Sequence, residues 1–119
     1  MISVTLYHNP ACSKSRAALA LLEERGITLE TVLYLENPPD EAMLEEILAK
    51  LGKEPRDIIR TDEPEYVALG LENLALTRAE LLAALAAHPK LLQRPIVVAG
   101  ERAVLGRPLE AVTALFEER

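Results

Sequence analysis

The chain has 119 residues, half of them hydrophobic and 27% charged, a size and balance typical of one globular domain. Its net charge of −6 and its lack of tryptophan argue against general nucleic-acid binding, which needs cationic and aromatic side chains. No run approaches the ~18 apolar residues of a membrane span, and the N-terminus lacks the basic lead of a signal peptide. We therefore expect a cytoplasmic protein that binds neither nucleic acid nor membrane. We also expect a monomer.

The first third of the chain predicts a βαβ unit. Apolar residues alternate with others over residues 3–7, which indicates a short strand. Residues 13–25 have the apolar spacing of a helix, and Gly26 follows where a helix commonly ends. Residues 29–35 are rich in strand-forming side chains. Two strands joined by a helix are expected to lie parallel in one sheet.

The middle of the chain, about residues 40–90, is predicted to be helical. Asp40 and Gly52 occupy the cap positions of one helix. Thr77 and Glu80 have the spacing of a capping box at the start of another. Shorter helical pieces are expected between these two helices.

The last third predicts a hairpin followed by a helix. Residues 96–99 and 102–105 are strand-like and flank a two-residue turn of the Gly-X type. Pro108 suits the first position of the last helix. The order βαβ, helical block, ββα indicates an α/β protein.

The predicted turn fixes the register of the hairpin and places Arg94 opposite Arg107. Facing like charges on adjacent strands repel each other. A bound dianion would explain the pair, because guanidinium groups match the geometry of oxyanions. In the alternative interpretation, both side chains extend into water or pair with some of the 19 acidic residues.

The only cysteine, Cys12, lies at the start of the predicted first helix, within the stretch YHNPACSKSR. Free N–H groups and the helix dipole favour a thiolate there, so we expect a lowered pKa. Lys14 and Arg16 add positive charge nearby, Ser15 can donate a hydrogen bond to the sulfur, and His8 can favour the anion. The alternative is an inert, buried cysteine, which the polar surroundings disfavour.

The spacing around Cys12 argues against several other kinds of site. The run CSKSR is C-x3-R, so it lacks the C-x5-R phosphate loop of tyrosine-phosphatase-like enzymes. It is also C-x-x-S, so any adduct on Cys12 must be released by a thiol from another molecule. One cysteine with the distant His8 and His88 cannot form a structural zinc site, and we expect no metal.

Several segments together resemble the glutaredoxin-linked arsenate reductase (ArsC) family. They are YHNPACSKSR, LYLENPP, the IIR ending at Arg60, RPIVV and GRP, in the family's order across nearly the whole chain. The CSKSR loop is similar to that of a chromosomal ArsC-like branch. The resemblance implies one domain over residues 1–119 with a thioredoxin-like fold. That fold is a mixed four-stranded sheet of βαβ and ββα halves with a helical insertion between them.

The resemblance also implies a role for each matched residue. Cys12 matches the catalytic nucleophile, and Pro95 matches a cis-proline beside the active thiol. The three oxyanion-binding arginines are matched by Arg60, Arg94 and Arg107, and the active-site loop by His8, Ser15 and Arg16. The implied reaction is the reduction of arsenate to arsenite, with glutathione as co-substrate, glutaredoxin as partner and no bound cofactor.

Two other functions remain open at the level of sequence. One is a glutaredoxin-like deglutathionylase, or a reductase of another oxyanion. The other is a non-enzymatic redox regulator that binds RNA polymerase. Ser15 argues against the second, because such regulators generally switch through a C-x-x-C pair.

Overall fold

The computed structural model describes residues 3–116, which form two compact units. The first unit contains residues 3–37 and 94–116, and the second contains residues 38–93. Within the described range, no helix has both the length and the apolar character needed to cross a membrane. The elements in chain order are β1 (Val4–His8), α1 (Ser13–Glu24), β2 (Glu30–Leu33), α2 (Glu41–Leu51), α3 (Pro64–Ala68), α4 (Arg78–Ala87), β3 (Ile96–Ala99), β4 (Arg102–Leu105) and α5 (Glu110–Leu115).

The first unit contains a four-stranded sheet in the order β2-β1-β3-β4. Strand β1 pairs in parallel with β2 and antiparallel with β3, and β3 pairs antiparallel with β4. The predicted mixed sheet built from βαβ and ββα halves is therefore confirmed, and the fold is thioredoxin-like. β2 is shorter than the predicted residues 29–35, because the chain turns at residues 34–36.

Helices α1 and α5 contribute apolar side chains to the core of this unit. Ala18 and Leu22 from α1 and Val112 from α5 are fully buried with the sheet residues Leu6 and Val97. The prediction that α5 begins at Pro108 is wrong by two residues. The carbonyls of residues 108 and 109 accept hydrogen bonds from N–H groups three residues on, so the first turn is tighter than an α-helix.

The hairpin of β3 and β4 has the predicted register. Ile96 pairs with Leu105 at the end away from the turn. One residue further, the Gly106 N–H donates to the carbonyl oxygen of Pro95 at 2.8 Å, so the pairing continues. The next residue on each side is an arginine, Arg94 and Arg107. Since Tyr7 pairs with Ile96, the carboxyl end of β1 lies at the same end of the sheet as Arg94 and Arg107.

The second unit is mainly helical. Helix α2 begins with the Asp40 side chain accepting the Met43 N–H at 2.8 Å, and it ends at Gly52 with φ of 69°. Helix α4 begins with the predicted capping box of Thr77 and Glu80. The shorter helical pieces are α3 and two 3₁₀ turns, Pro55–Ile58 and Pro89–Leu91.

Candidate active site

The loop between β1 and α1 places Cys12 at the N-cap position of α1. The Asn9 carbonyl accepts the Cys12 N–H at 3.0 Å, and the Asn9 side-chain oxygen accepts the Ala11 N–H at 3.0 Å. The Cys12 carbonyl in turn accepts the Arg16 N–H at 3.0 Å, the first hydrogen bond of the helix. Cys12 therefore has extended backbone angles and a partly exposed side chain beside the free N–H groups of α1.

The surroundings of the Cys12 sulfur favour the thiolate. Partial burial alone raises the pKa of the Cys12 thiol. The backbone N–H groups of Ser15 and Lys14, followed by the charge and a hydrogen bond of the Arg94 side chain, outweigh burial and lower that pKa below its ordinary value. The sequence predicted the direction of this shift from the helix start. It did not predict that Arg94 contributes directly.

We expect the Cys12 thiol of the folded protein to titrate below the ordinary thiol pKa of about 8.5. Because the folded state releases this proton before the unfolded state does, the thiolate adds to the free energy of unfolding as pH rises through the folded pKa. Ultraviolet thiolate absorbance against pH measures the shift, and the chain unfolded in denaturant is the control. Equal pKa values in the two states would contradict the site described here.

The hydroxyl of Ser15 supports the loop instead of the sulfur. Ser15 is fully buried, and its Oγ lies 2.6 Å from His8 Nδ1 and accepts the Asn9 N–H at 3.0 Å. Burial, and next the charge of Arg16, lower the pKa of His8 below its ordinary value, so the ring is neutral near pH 7. Contrary to the prediction, the Ser15 hydroxyl is therefore not the group that favours the thiolate; the backbone N–H of Ser15 is. His8 supports the Cys12 loop through its contact with Ser15, and its neutral ring adds no positive charge.

We expect Ser15→Ala to lower the free energy of unfolding by about 1–3 kcal/mol, because it leaves the Asn9 N–H and the His8 ring without their buried partner. The Cys12 pKa should change little, since the backbone N–H of residue 15 remains. Thermal unfolding and thiol titration measure the two effects. Ser13→Ala, at an exposed position of the same helix start, is the matched control. An unchanged melting temperature for Ser15→Ala would contradict this role.

The two cations predicted in the loop differ in what they contact. Arg16 donates from Nη1 to the Pro10 carbonyl at 2.8 Å, which closes the loop around Cys12. Lys14 reaches the sulfur through its backbone N–H, and its side chain is exposed. The prediction that these side chains stabilise the thiolate by their charge stays a prediction.

Of the three predicted oxyanion-binding arginines, Arg94 is the one whose charge helps to lower the pKa of Cys12. Its Nε is buried and has no hydrogen-bond partner among residues 3–116, which leaves one donor free for a ligand. Arg107 is exposed at the facing position of the hairpin. No carboxylate in the described part of the chain forms an ion pair with Arg94 or Arg107, contrary to one form of the alternative interpretation.

Arg60 belongs to the second unit, where its side chain is 14% exposed. It donates to Glu63 at 2.6 Å and to Asp62 at 3.1 Å. The oxyanion-binding role of Arg60 stays a prediction from the resemblance. The resemblance also predicts a cis-proline at Pro95, and the Arg94–Pro95 peptide bond is cis.

Sequence reasoning overlooked Asn9. Its carbonyl, side chain and N–H all hold the Cys12 loop in shape. An asparagine directly before a proline and three residues before a helix cap is a recognisable signal for such a turn. Among the described residues, no cluster of three or more His, Cys, Asp or Glu side chains is arranged to hold a metal ion.

Comparison with known proteins agrees with this geometry. The sequence profile of the ArsC family matches residues 7–115. A protein of Neisseria meningitidis named arsenate reductase is 51% identical over 117 residues, which cover 98% of this chain and all of that protein. One from Haemophilus influenzae with the same name is 46% identical and covers 97% of this chain and all of that protein.

Solved structures give the same result. An arsenate reductase from Vibrio cholerae superposes with a TM-score of 0.93 at 45% identity, covering 97% of this chain and 98% of that structure. The profile match and these relatives extend over almost the whole sequence, including the Cys12 loop and the hairpin with its two arginines. The chain belongs to the ArsC family.

Proposed function

We propose that this protein is a thiol-dependent arsenate reductase in which Cys12 is the nucleophile. The observation that carries the proposal is a thiol at a helix N-cap whose pKa is lowered in part by Arg94, an arginine whose buried Nε has no partner among the described residues. A thiolate beside an unused guanidinium donor suits a tetrahedral oxyanion. The names of the relatives from Neisseria meningitidis, Haemophilus influenzae and Vibrio cholerae support arsenate as that oxyanion.

The first step of the proposed reaction forms a bond between sulfur and arsenic. The Cys12 thiolate attacks arsenate, and one arsenate hydroxyl takes up a proton from solvent and leaves as water, so arsenic stays in the pentavalent state. Arg94 neutralises charge on the remaining oxygens as the new bond forms. Arg107, two residues beyond the Leu105 that pairs with Ile96, acts on the same oxyanion in this proposal. Neither arginine transfers a proton, because guanidinium groups remain charged at all relevant pH values.

The second half of the reaction needs thiols from other molecules, because Cys12 is the only cysteine of the chain. Glutathione adds to arsenic and displaces a second oxygen as water. A glutaredoxin thiolate then attacks the glutathione sulfur, and the electron pair of the broken sulfur–arsenic bond stays on arsenic, which becomes trivalent. Water releases arsenite from Cys12 and restores the thiol. We propose the cytoplasm as the location, since free thiols persist there.

A coupled assay tests the proposal. The protein is mixed with arsenate, glutathione, glutaredoxin, glutathione reductase and NADPH, and arsenite is quantified directly. We expect arsenite only when all thiol components are present. Arsenite formation no faster than in the mixture without protein would overturn the assignment to arsenate. Turnover of a glutathionylated substrate in the absence of arsenate would instead indicate a deglutathionylase.

A further inference from the structure

Gly106 differs from the other glycines whose surroundings are defined. Gly26, Gly52 and Gly70 have φ between 68° and 70°, and a Cβ added to any of them would meet nothing within 4 Å. Gly106 is outside the left-handed region, so its backbone angles do not require glycine. A Cβ there would lie 2.7 Å from Pro95 Cγ, 3.4 Å from Pro95 Cδ and 3.2 Å from Val112 Cγ2. Lack of space, and not φ, requires glycine at this position.

The close neighbour of Gly106 is the proline that follows Arg94. Gly106 and Pro95 are both buried, and the Gly106 N–H donates to the Pro95 carbonyl at 2.8 Å. A proline ring cannot rotate away from an added methyl group as a flexible side chain can. An added Cβ must therefore displace the Pro95 ring, and with it the backbone of Arg94. The Arg94 side chain is the one whose charge helps to lower the pKa of Cys12.

We propose that Gly106 is a positioning residue, whose bare backbone lets the Pro95 ring pack closely and thereby holds Arg94 against Cys12. Gly106 acts on the thiol through two intervening residues, Pro95 and Arg94. The inference deepens the proposed function. Its test uses the protein without arsenate, so that its failure and the failure of arsenate reduction can be told apart.

The test is titration of the Cys12 thiol in Gly106→Ala by ultraviolet thiolate absorbance. We expect the thiol pKa to rise, by at least half as much as it rises in Arg94→Ala. The matched control is Gly26→Ala, at the end of α1, where alanine is strained by φ but meets no neighbouring atoms. Gly26→Ala should melt at a lower temperature and keep the wild-type thiol pKa. An unchanged pKa in folded Gly106→Ala would overturn the proposal.

The double variant Arg94→Ala/Gly106→Ala separates positioning from general damage. If Gly106 acts through Arg94, adding Gly106→Ala to Arg94→Ala leaves the thiol pKa unchanged. A further rise in the double variant would show a route that bypasses Arg94 and would overturn the inference.

The second close contact, with Val112 of α5, needs its own comparison. Val112→Ala removes that contact and leaves the contact with Pro95 in place. In the double variant Gly106→Ala/Val112→Ala we expect the thiol pKa to stay as high as in Gly106→Ala. A return to the wild-type thiol pKa would assign the effect to α5 and overturn the role of Pro95. Should Gly106→Ala fail to fold, the same comparisons are made in the Val112→Ala background, where the methyl group has more room.

Discussion

We expect the Cys12→Ser variant to form arsenite no faster than a mixture without protein. A serine hydroxyl stays protonated under conditions where the Cys12 thiol is ionised, and the contacts that lower the thiol pKa cannot compensate for so large a difference in acidity. No other cysteine exists in the chain to take over the attack. Direct quantification of arsenite, together with NADPH consumption, measures the loss.

The same substitution should not harm folding, which makes the loss of activity interpretable. Cys12 is the N-cap residue of α1, and its side chain makes no capping hydrogen bond. Serine is among the preferred N-cap residues, and a good cap contributes about 1 kcal/mol. At a pH below the folded pKa of Cys12, where the thiolate adds nothing to stability, we therefore expect Cys12→Ser to melt at the wild-type temperature or slightly above it. A folded Cys12→Ser variant that still forms arsenite would rule out Cys12 as the nucleophile.

A displaced thiol gives a stricter control than its removal. In Cys12→Ser/Ser13→Cys the chain keeps one cysteine at the start of α1, but one residue further along the helix. We expect the general effect of the helix dipole to be retained and the effect of Arg94 on the thiol pKa to be lost. We expect a reactive thiol in alkylation experiments and no arsenite formation. Recovery of arsenite formation would mean that the helix start alone is sufficient.

The parts of the fold that the sequence predicted well depend on local signals. A two-residue Gly-X turn has only one register, and so the pairing of Ile96 with Leu105 follows from the positions of two residues. The capping box of Thr77 and Glu80 is likewise determined within one helical turn. The position of Cys12 at a helix cap follows from the same kind of short-range pattern.

The parts that the sequence did not predict depend on contacts between distant segments. The Ser15 hydroxyl forms its hydrogen bond with His8 at the end of β1, and not with the nearby Cys12. The spatial limit at Gly106 depends on a proline 11 residues earlier and a valine in α5. Periodicity and propensity contain no information about such distances, which is why both features required coordinates.

We expect Arg94→Ala to reduce kcat for arsenate about 10²–10³-fold, the range found when one oxyanion donor is removed from an active site. Two effects add in this variant. The transition state loses a guanidinium, and the Cys12 pKa rises because Arg94 supplies both a charge and a hydrogen bond to the sulfur. The pH–rate profile should therefore shift to higher pH, and part of the activity should return in alkaline assays. An unshifted profile would mean that Arg94 acts on the oxyanion alone.

The matched control for Arg94→Ala is Arg102→Ala, which removes an exposed arginine from the turn end of the same hairpin. Arg102→Ala should keep the wild-type rate and profile. Stability offers a second distinction, because Arg94 has a buried Nε without a partner in residues 3–116, and both Arg94 and Arg107 follow directly on the last hydrogen bond of the hairpin. Without arsenate, and at a pH below the folded pKa of Cys12, Arg94→Ala should melt no lower than wild type, since the thiol is then uncharged and no ion pair with a described carboxylate is lost. With arsenate, wild type should gain melting temperature and Arg94→Ala should gain less, because a ligand stabilises only in proportion to its binding. Equal gains in the two proteins would remove Arg94 from the oxyanion site.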